Sequence, residues 1–140
     1  MMRLTKKQKR HFDSFGFLFL PGLMRHDIVW IDEEFEKALT ESIHTHDGKK
    51  RTSFSESIVN REHICELIEH PAINGVLSSL LGDEFIYLGT GADIYVGDSQ
   101  WHPDMYHAIV PHLKVALYLD PLTIETGAIR VVPGSHVQGF

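Results

Sequence analysis

The chain is 140 residues long, 43% hydrophobic and 23% charged, proportions that suit one globular domain with a core and exclude a disordered or fibrous polymer. Its formal net charge of −6 argues against a nucleic-acid footprint, which needs Lys and Arg clustered along one face. Cys65 is the single cysteine, so an intrachain disulfide and a disulfide-stapled secreted scaffold are excluded.

Thr5 followed three residues later by Gln8 forms the pattern of a capping box, and predicts a helix that ends at Gly16. The basic residues Lys6, Lys7, Lys9 and Arg10 precede an apolar stretch, Phe15 to Leu20, that Pro21 and Gly22 end too early for a signal-peptide core. No segment is long enough to span a membrane, so a soluble, cytoplasmic protein is expected. Within that stretch Phe17-Leu18-Phe19-Leu20 reads as a short buried strand.

From Asp27 the apolar residues Ile28, Ile31, Phe35, Leu39 and Ile43 recur at steps of three and four, with Asp32, Glu33, Glu34 and Glu36 on the other face. This spacing predicts an amphipathic helix. Residues 47–57, polar and basic through Gly48, Lys49, Lys50 and Arg51, follow neither the helix nor the strand period and predict an exposed loop. A helix around Ile64 to Glu69, with Cys65 as a small buried side chain, should stop before Pro71. A second helix begins at Pro71, carrying Ile73, Val76, Leu77, Leu80 and Leu81 before Gly82 caps it.

Past Gly82 the chain changes character. Phe85 to Leu88, Ile94 to Val96, Leu113 to Leu119 and Ile129 to Val132 are runs rich in β-branched and aromatic residues, separated by Gly89, Gly91, Gly97-Asp98, Asp120-Pro121 and Gly127. Helices first and strands after make an α+β pattern.

The chemistry is concentrated in Gly97-Asp98-Ser99-Gln100-Trp101-His102-Pro103-Asp104. In extended backbone, residues i and i+2 project to the same side, so one metal can be reached by the His102 imidazole and the Asp104 carboxylate together. Such a pair supplies two corners of a facial triad of two histidines and a carboxylate, which leaves coordination positions open for a cosubstrate and O2. Pro103 fits a strand end or edge, where its missing N–H breaks no ladder. The same residues also suit a plain turn with a surface His and Asp. His11-Phe12-Asp13 repeats the spacing, but in a helical pattern, where i and i+2 do not share a face.

Five segments in order, Phe15-Gly16-Phe17-Leu18-Phe19-Leu20-Pro21-Gly22, Gly82-Asp83-Glu84-Phe85, Gln100 to Asp104, His112 to Asp120 and Thr126 to His136, resemble the phytanoyl-CoA dioxygenase family along nearly the whole chain. The resemblance implies that residues 1–140 are a single domain, the incomplete N-terminal portion of a double-stranded β-helix, or jelly roll. It implies Fe(II) and 2-oxoglutarate as cofactor and cosubstrate, and hydroxylation of a small organic substrate. By matching position His102 and Asp104 would be the first two iron ligands, and Gln100, Tyr118 and Thr126 would lie near the cosubstrate pocket. Tyr118 also reads as an aromatic on a half-buried strand, and Thr126 as a turn residue before Gly127. In the family, the histidine matching His136 is not a ligand.

Relatives carry a distal histidine and a basic residue for the far carboxylate of 2-oxoglutarate downstream of the Pro-Gly-Ser-His element, and neither occurs before Phe140. The expectation is a truncated sequence, a split chain, or a homodimer that completes itself, with incomplete or low activity. Arg130 is not at the family position for the cosubstrate and reads as an outward-facing strand residue. His107, His112 and His136 are the candidates for a replacement third ligand. The competing readings are a non-catalytic fragment or degenerate metal- or small-molecule-binding jelly roll, and a cupin-type site using His102, Asp104, His107 and His112. Cupins favour two closely spaced histidines and a Glu, a cluster that His102, Asp104, His107 and His112 do not make.

Overall fold

The structure, a computed structural model, describes residues 2–104 and 110–138. At its N-terminal end the capping box forms as read: the Thr5 hydroxyl accepts from the Gln8 backbone N–H at 3.2 Å, and the Gln8 amide oxygen accepts from the Thr5 N–H at 2.9 Å. These bonds start helix α1, Lys6–Phe15, which Gly16 ends in the left-handed region at φ 79°. The following Phe17-Leu18-Phe19-Leu20 is not a strand. Phe17 packs edge-on against the His11 ring, and Phe19 is 81% exposed, because an apolar run becomes a strand only when a neighbour offers it a ladder.

Helix α2, Ile28–Glu41, follows the expected period. Its buried stripe, however, runs through Ile31, Glu34 and Ala38, so Glu34 lies on the packed face and not the wet one. Spacings of three and four put those three positions on one stripe, and Glu34 is accommodated there by ion pairs. Its carboxylate accepts from Arg61 Nε at 2.7 Å and from Lys37 Nζ at 2.9 Å, while Arg61 Nη1 donates to Glu41 at 2.7 Å. A buried carboxylate is tolerated only when paired in this way. Ile43 falls beyond the helix end and is exposed.

Of residues 47–57, expected to be an exposed loop, residues 47–51 are exposed and irregular as read, but the remainder is structured. Strand β1, Thr52–Ser53, leads to the one-turn helix α3, Ser55–Val59, and Phe54 between them is fully buried at 0% exposure. Phe54 meets Phe35 of α2 edge to face, with ring centroids 4.8 Å apart. It completes a core with Ala38, Ile58, Ile64 and Ala92. Burying a phenylalanine side chain of this kind contributes about 2–3 kcal/mol.

Helices α4, Glu62–Glu69, and α5, Pro71–Leu81, break where Pro71 requires. His70 joins them: its Nδ1 accepts from the Ala72 N–H at 3.3 Å, and its Nε2 lies 3.5 Å from Asp27 Oδ2 at the start of α2. Cys65, expected inside, is exposed on α4; the helix turns Ile64 inward instead. A second core of Met24, Ile31 and Ile73 collects Leu117 and Leu119 from the later chain, with Leu67 touching both cores. The N-terminal residues lie on α5: the Leu4 N–H donates to the Ser79 hydroxyl at 3.0 Å. A side chain at Gly75 would run into the Met2 carbonyl.

Of the runs expected as strands, the described residues place only Ile94 in a ladder. Strand β2, Asp93–Ile94, pairs antiparallel with β1, Thr52 opposite Ile94 and Ser53 opposite Asp93. Residues 85–88, 113–119 and 129–132 have strand-forming composition but no ladder partner among the described residues. Propensity prepares a strand; pairing makes one. The result is an α+β arrangement with a small two-stranded sheet. Helix α6, Ser135–Gln138, docks on the end of α1 through the Gly134 N–H to the Phe15 carbonyl at 3.0 Å and His136 Nε2 to the Asp13 carbonyl at 3.1 Å.

Replacing Phe54 with Ala is expected to cost about 3–5 kcal/mol in urea unfolding, and a loss below 1 kcal/mol would show that the residue is not a core anchor. The Glu34 carboxyl is drawn from the ordinary 4.5 down to about 2, first by the hydrogen bond from Lys37 and then by that from Arg61. Its stabilising contribution is therefore present above pH 4.5 and lost as the pH falls toward 2. Urea midpoints measured across that window should fall more steeply in the parent protein than in Glu34→Gln; parallel slopes contradict the assignment.

Candidate metal centre

Residues 99–103 have no regular secondary structure and Asp104 lies at a bend, with His102 and Asp104 both exposed to solvent. His102 Nδ1 lies 2.7 Å from the Gln100 carbonyl. A carbonyl can only accept, so Nδ1 carries the proton, and the Nε2 lone pair is left for a Lewis acid. Outer partners of this kind fix the tautomer and orientation of metal-binding imidazoles. Gln100 thus acts on His102 through its backbone.

The Asp104 carboxylate accepts from Lys114 Nζ through Oδ1 at 2.8 Å. That bond is the largest reason that the Lys114 ammonium holds its proton above the usual 10.5, with partial burial acting against it. Lys114 lies on the run whose residues Leu117 and Leu119 pack on the second core, and Lys114 and Tyr118 are exposed while those leucines are partly buried. Tyr118 is close enough to feel the charges of Lys114, Tyr95 and Asp104. Its phenol titrates above the ordinary 10.0, chiefly because its surroundings partly desolvate it.

Tyr95 ties this group to the small sheet. The Arg51 guanidinium stacks over the Tyr95 ring at 4.6 Å, and its Nη2 and Nε reach Asp93 Oδ1 at 2.8 and 2.9 Å. The β1–β2 register places residues 51 and 95 next in line. On the other flank, Arg130 lies over the Trp101 ring at 5.2 Å. Arg130 is therefore not simply outward-facing: it pins the residue before His102 by a cation–π contact.

Thr126 closes a turn, its hydroxyl accepting from the Thr123 N–H at 2.7 Å just before Gly127 at φ 98°. His136 is held by the Asp13 carbonyl and packs on the Phe12 ring. His107 lies outside the described residues. Among the described residues no three His, Cys, Asp or Glu side chains come together as a metal-binding group. Two surface concavities, of about 300 and 400 Å³, are lined by Leu39, Thr40, Ser42 and His44 to His46, and by Lys7, Gln8, His11 and Phe17 to Phe19. Neither lining includes His102 or Asp104.

Sequence reasoning missed Lys114 and Arg130 as neighbours of the site because each reaches it from a distant segment. The alternating pattern of residues 113–119 was the available signal for Lys114; nothing local indicated Arg130. No helix among the described residues is long and apolar enough to cross a membrane.

An imidazole whose Nε2 carries the lone pair and a carboxylate two residues on are donors of the kind that Fe(II) takes in oxygenases using two histidines and a carboxylate. The sequence matches the family profile described as phytanoyl-CoA dioxygenase over residues 12–140. The chain belongs to this dioxygenase family, whose members generally use Fe(II) and 2-oxoglutarate. No curated protein and no solved structure matches it.

Proposed function

We propose that the protein is an Fe(II)- and 2-oxoglutarate-dependent oxygenase that hydroxylates a small organic substrate, with His102 and Asp104 as two of the iron ligands. Family membership over residues 12–140 supports the class. The observation that carries the site is the bond between His102 Nδ1 and the Gln100 carbonyl, which leaves Nε2 as a metal donor two residues from a carboxylate.

In this reading Fe(II) with 2-oxoglutarate supplies O2 activation and substrate oxidation. The chain's own residues bind and orient. The Gln100 carbonyl keeps the proton on His102 Nδ1. Lys114 donates to one Asp104 oxygen, and Gln100, Tyr118 and Thr126 border the cosubstrate. Residues 85–88, 94–96, 113–119 and 129–132 contribute strands to a jelly roll. The inward Leu117 and Leu119, set against the 82% exposed Ile86 and the exposed Leu88 and Ile129, fit strands that further β-structure covers, from this protein or from a second copy in a homodimer. With a lone thiol in the sequence, the cytoplasm is the compartment we assign.

A second reading is a non-catalytic member that binds metal or a small molecule without turnover.

Anaerobic titration with Fe(II), with and without 2-oxoglutarate, tests the proposal through the visible charge-transfer band of the chelated cosubstrate. The band should appear in the parent protein and weaken in His102→Ala and Asp104→Ala, whereas His11→Ala should leave it unchanged. Unaltered metal affinity in His102→Ala removes the site. A band without 2-oxoglutarate consumption on admission of O2 favours the second reading.

A further inference from the structure

We propose that Lys114 is a positioning residue for Asp104, holding one carboxylate oxygen so that the other is presented to the metal. The inference rests on the reading of His102 and Asp104 as ligands and adds a residue to that site.

The bond from Lys114 Nζ goes to Oδ1 alone, at 2.8 Å, and a carboxylate has two oxygens with about four acceptor directions between them. One oxygen can therefore take the ammonium while the other takes a cation. An exposed aspartate is otherwise free about its side-chain torsions, and Asp104 is 50% exposed. Ordering it before the metal arrives removes part of the entropy cost of binding.

Lys114 is placed to do this by the fold, although 59% of its own side chain is exposed. Leu117 and Leu119, on the same run, are anchored in the second core. Tyr95 and Tyr118 sit close enough for their charges to be felt at Nζ, and Tyr95 is itself stacked under Arg51, which Asp93 of β2 holds.

The alternative role for such an ammonium is to compete with the metal for Asp104. Magnitudes decide between them. A solvent-exposed ion pair is weak enough that its removal would tighten metal binding by at most about fivefold. Loss of a group that orients a ligating carboxylate weakens metal binding by about 10- to 100-fold. The two roles have opposite signs.

The test is isothermal titration of the whole chain with Co(II) as the probe, on the parent protein and on Lys114→Met, Lys114→Arg, His102→Ala and Asp104→Ala, with thermal midpoints recorded for each. Lys114→Met should raise the Co(II) Kd about tenfold at an unchanged midpoint, and Lys114→Arg should restore most of the affinity. If His102→Ala and Asp104→Ala weaken binding but Lys114→Met leaves it equal or tighter, the positioning role is overturned and the site stands. The role also fails if Lys114→Met weakens binding and Lys114→Arg does not recover it, since loss of packing alone explains that result. If His102→Ala and Asp104→Ala bind Co(II) as the parent does, the site itself fails and this inference with it.

Discussion

The burial of Phe54 is the constraint on which the rest of the structure depends. Its ring closes the core between α2, α3 and α4 and meets Ala92 from the later half of the chain, while its N–H donates to the Ala92 carbonyl at 3.0 Å. The flanking residues Thr52 and Ser53 form the only ladder among the described residues. One aromatic side chain thus joins the helical half to the extended half. A two-residue pairing would be marginal alone; the fully buried ring beside it makes the junction persist.

From that junction the candidate site is reached in short steps. The antiparallel register sets Arg51 beside Tyr95, Tyr95 stands near Lys114, and Lys114 holds Asp104. The second core, through Leu117 and Leu119, fixes the run that carries Lys114 and Tyr118. Arg130 stacks on Trp101, the residue before His102. A rigid helical layer therefore orders a solvent-facing stretch that has little secondary structure of its own, the arrangement by which loops commonly carry chemistry.

What was readable from the residues divides along a physical line. Helices were legible because their signals are local: Thr5 and Gln8, the three-and-four spacing after Asp27, Pro71 and Gly82 each act within a turn or two. Glu34 was misplaced although 31, 34 and 38 share a stripe, because charge was weighed before geometry. Phe54 was missed because it stands between serines in a polar run, where a single aromatic gives no period. The β-rich runs were legible as composition but not as ladders, since a ladder partner is distant in sequence. In the site, the spacing of His102 and Asp104 was visible at once, whereas Lys114 beside Asp104 and Arg130 over Trp101 came only with the fold. Gln100 was noted by its matching position near the cosubstrate pocket, and its backbone carbonyl holds the His102 ring.

The central claim is that His102 and Asp104 grip one cation. Paramagnetic broadening of amide resonances by substoichiometric Mn(II) measures this in place. The account predicts that signals of Gln100, Trp101, His102, Asp104 and Lys114 broaden first, while those of His11 to Asp13 and His44 to His46 remain sharp. Broadening centred on His44 and His46, or none near residue 102, would contradict it.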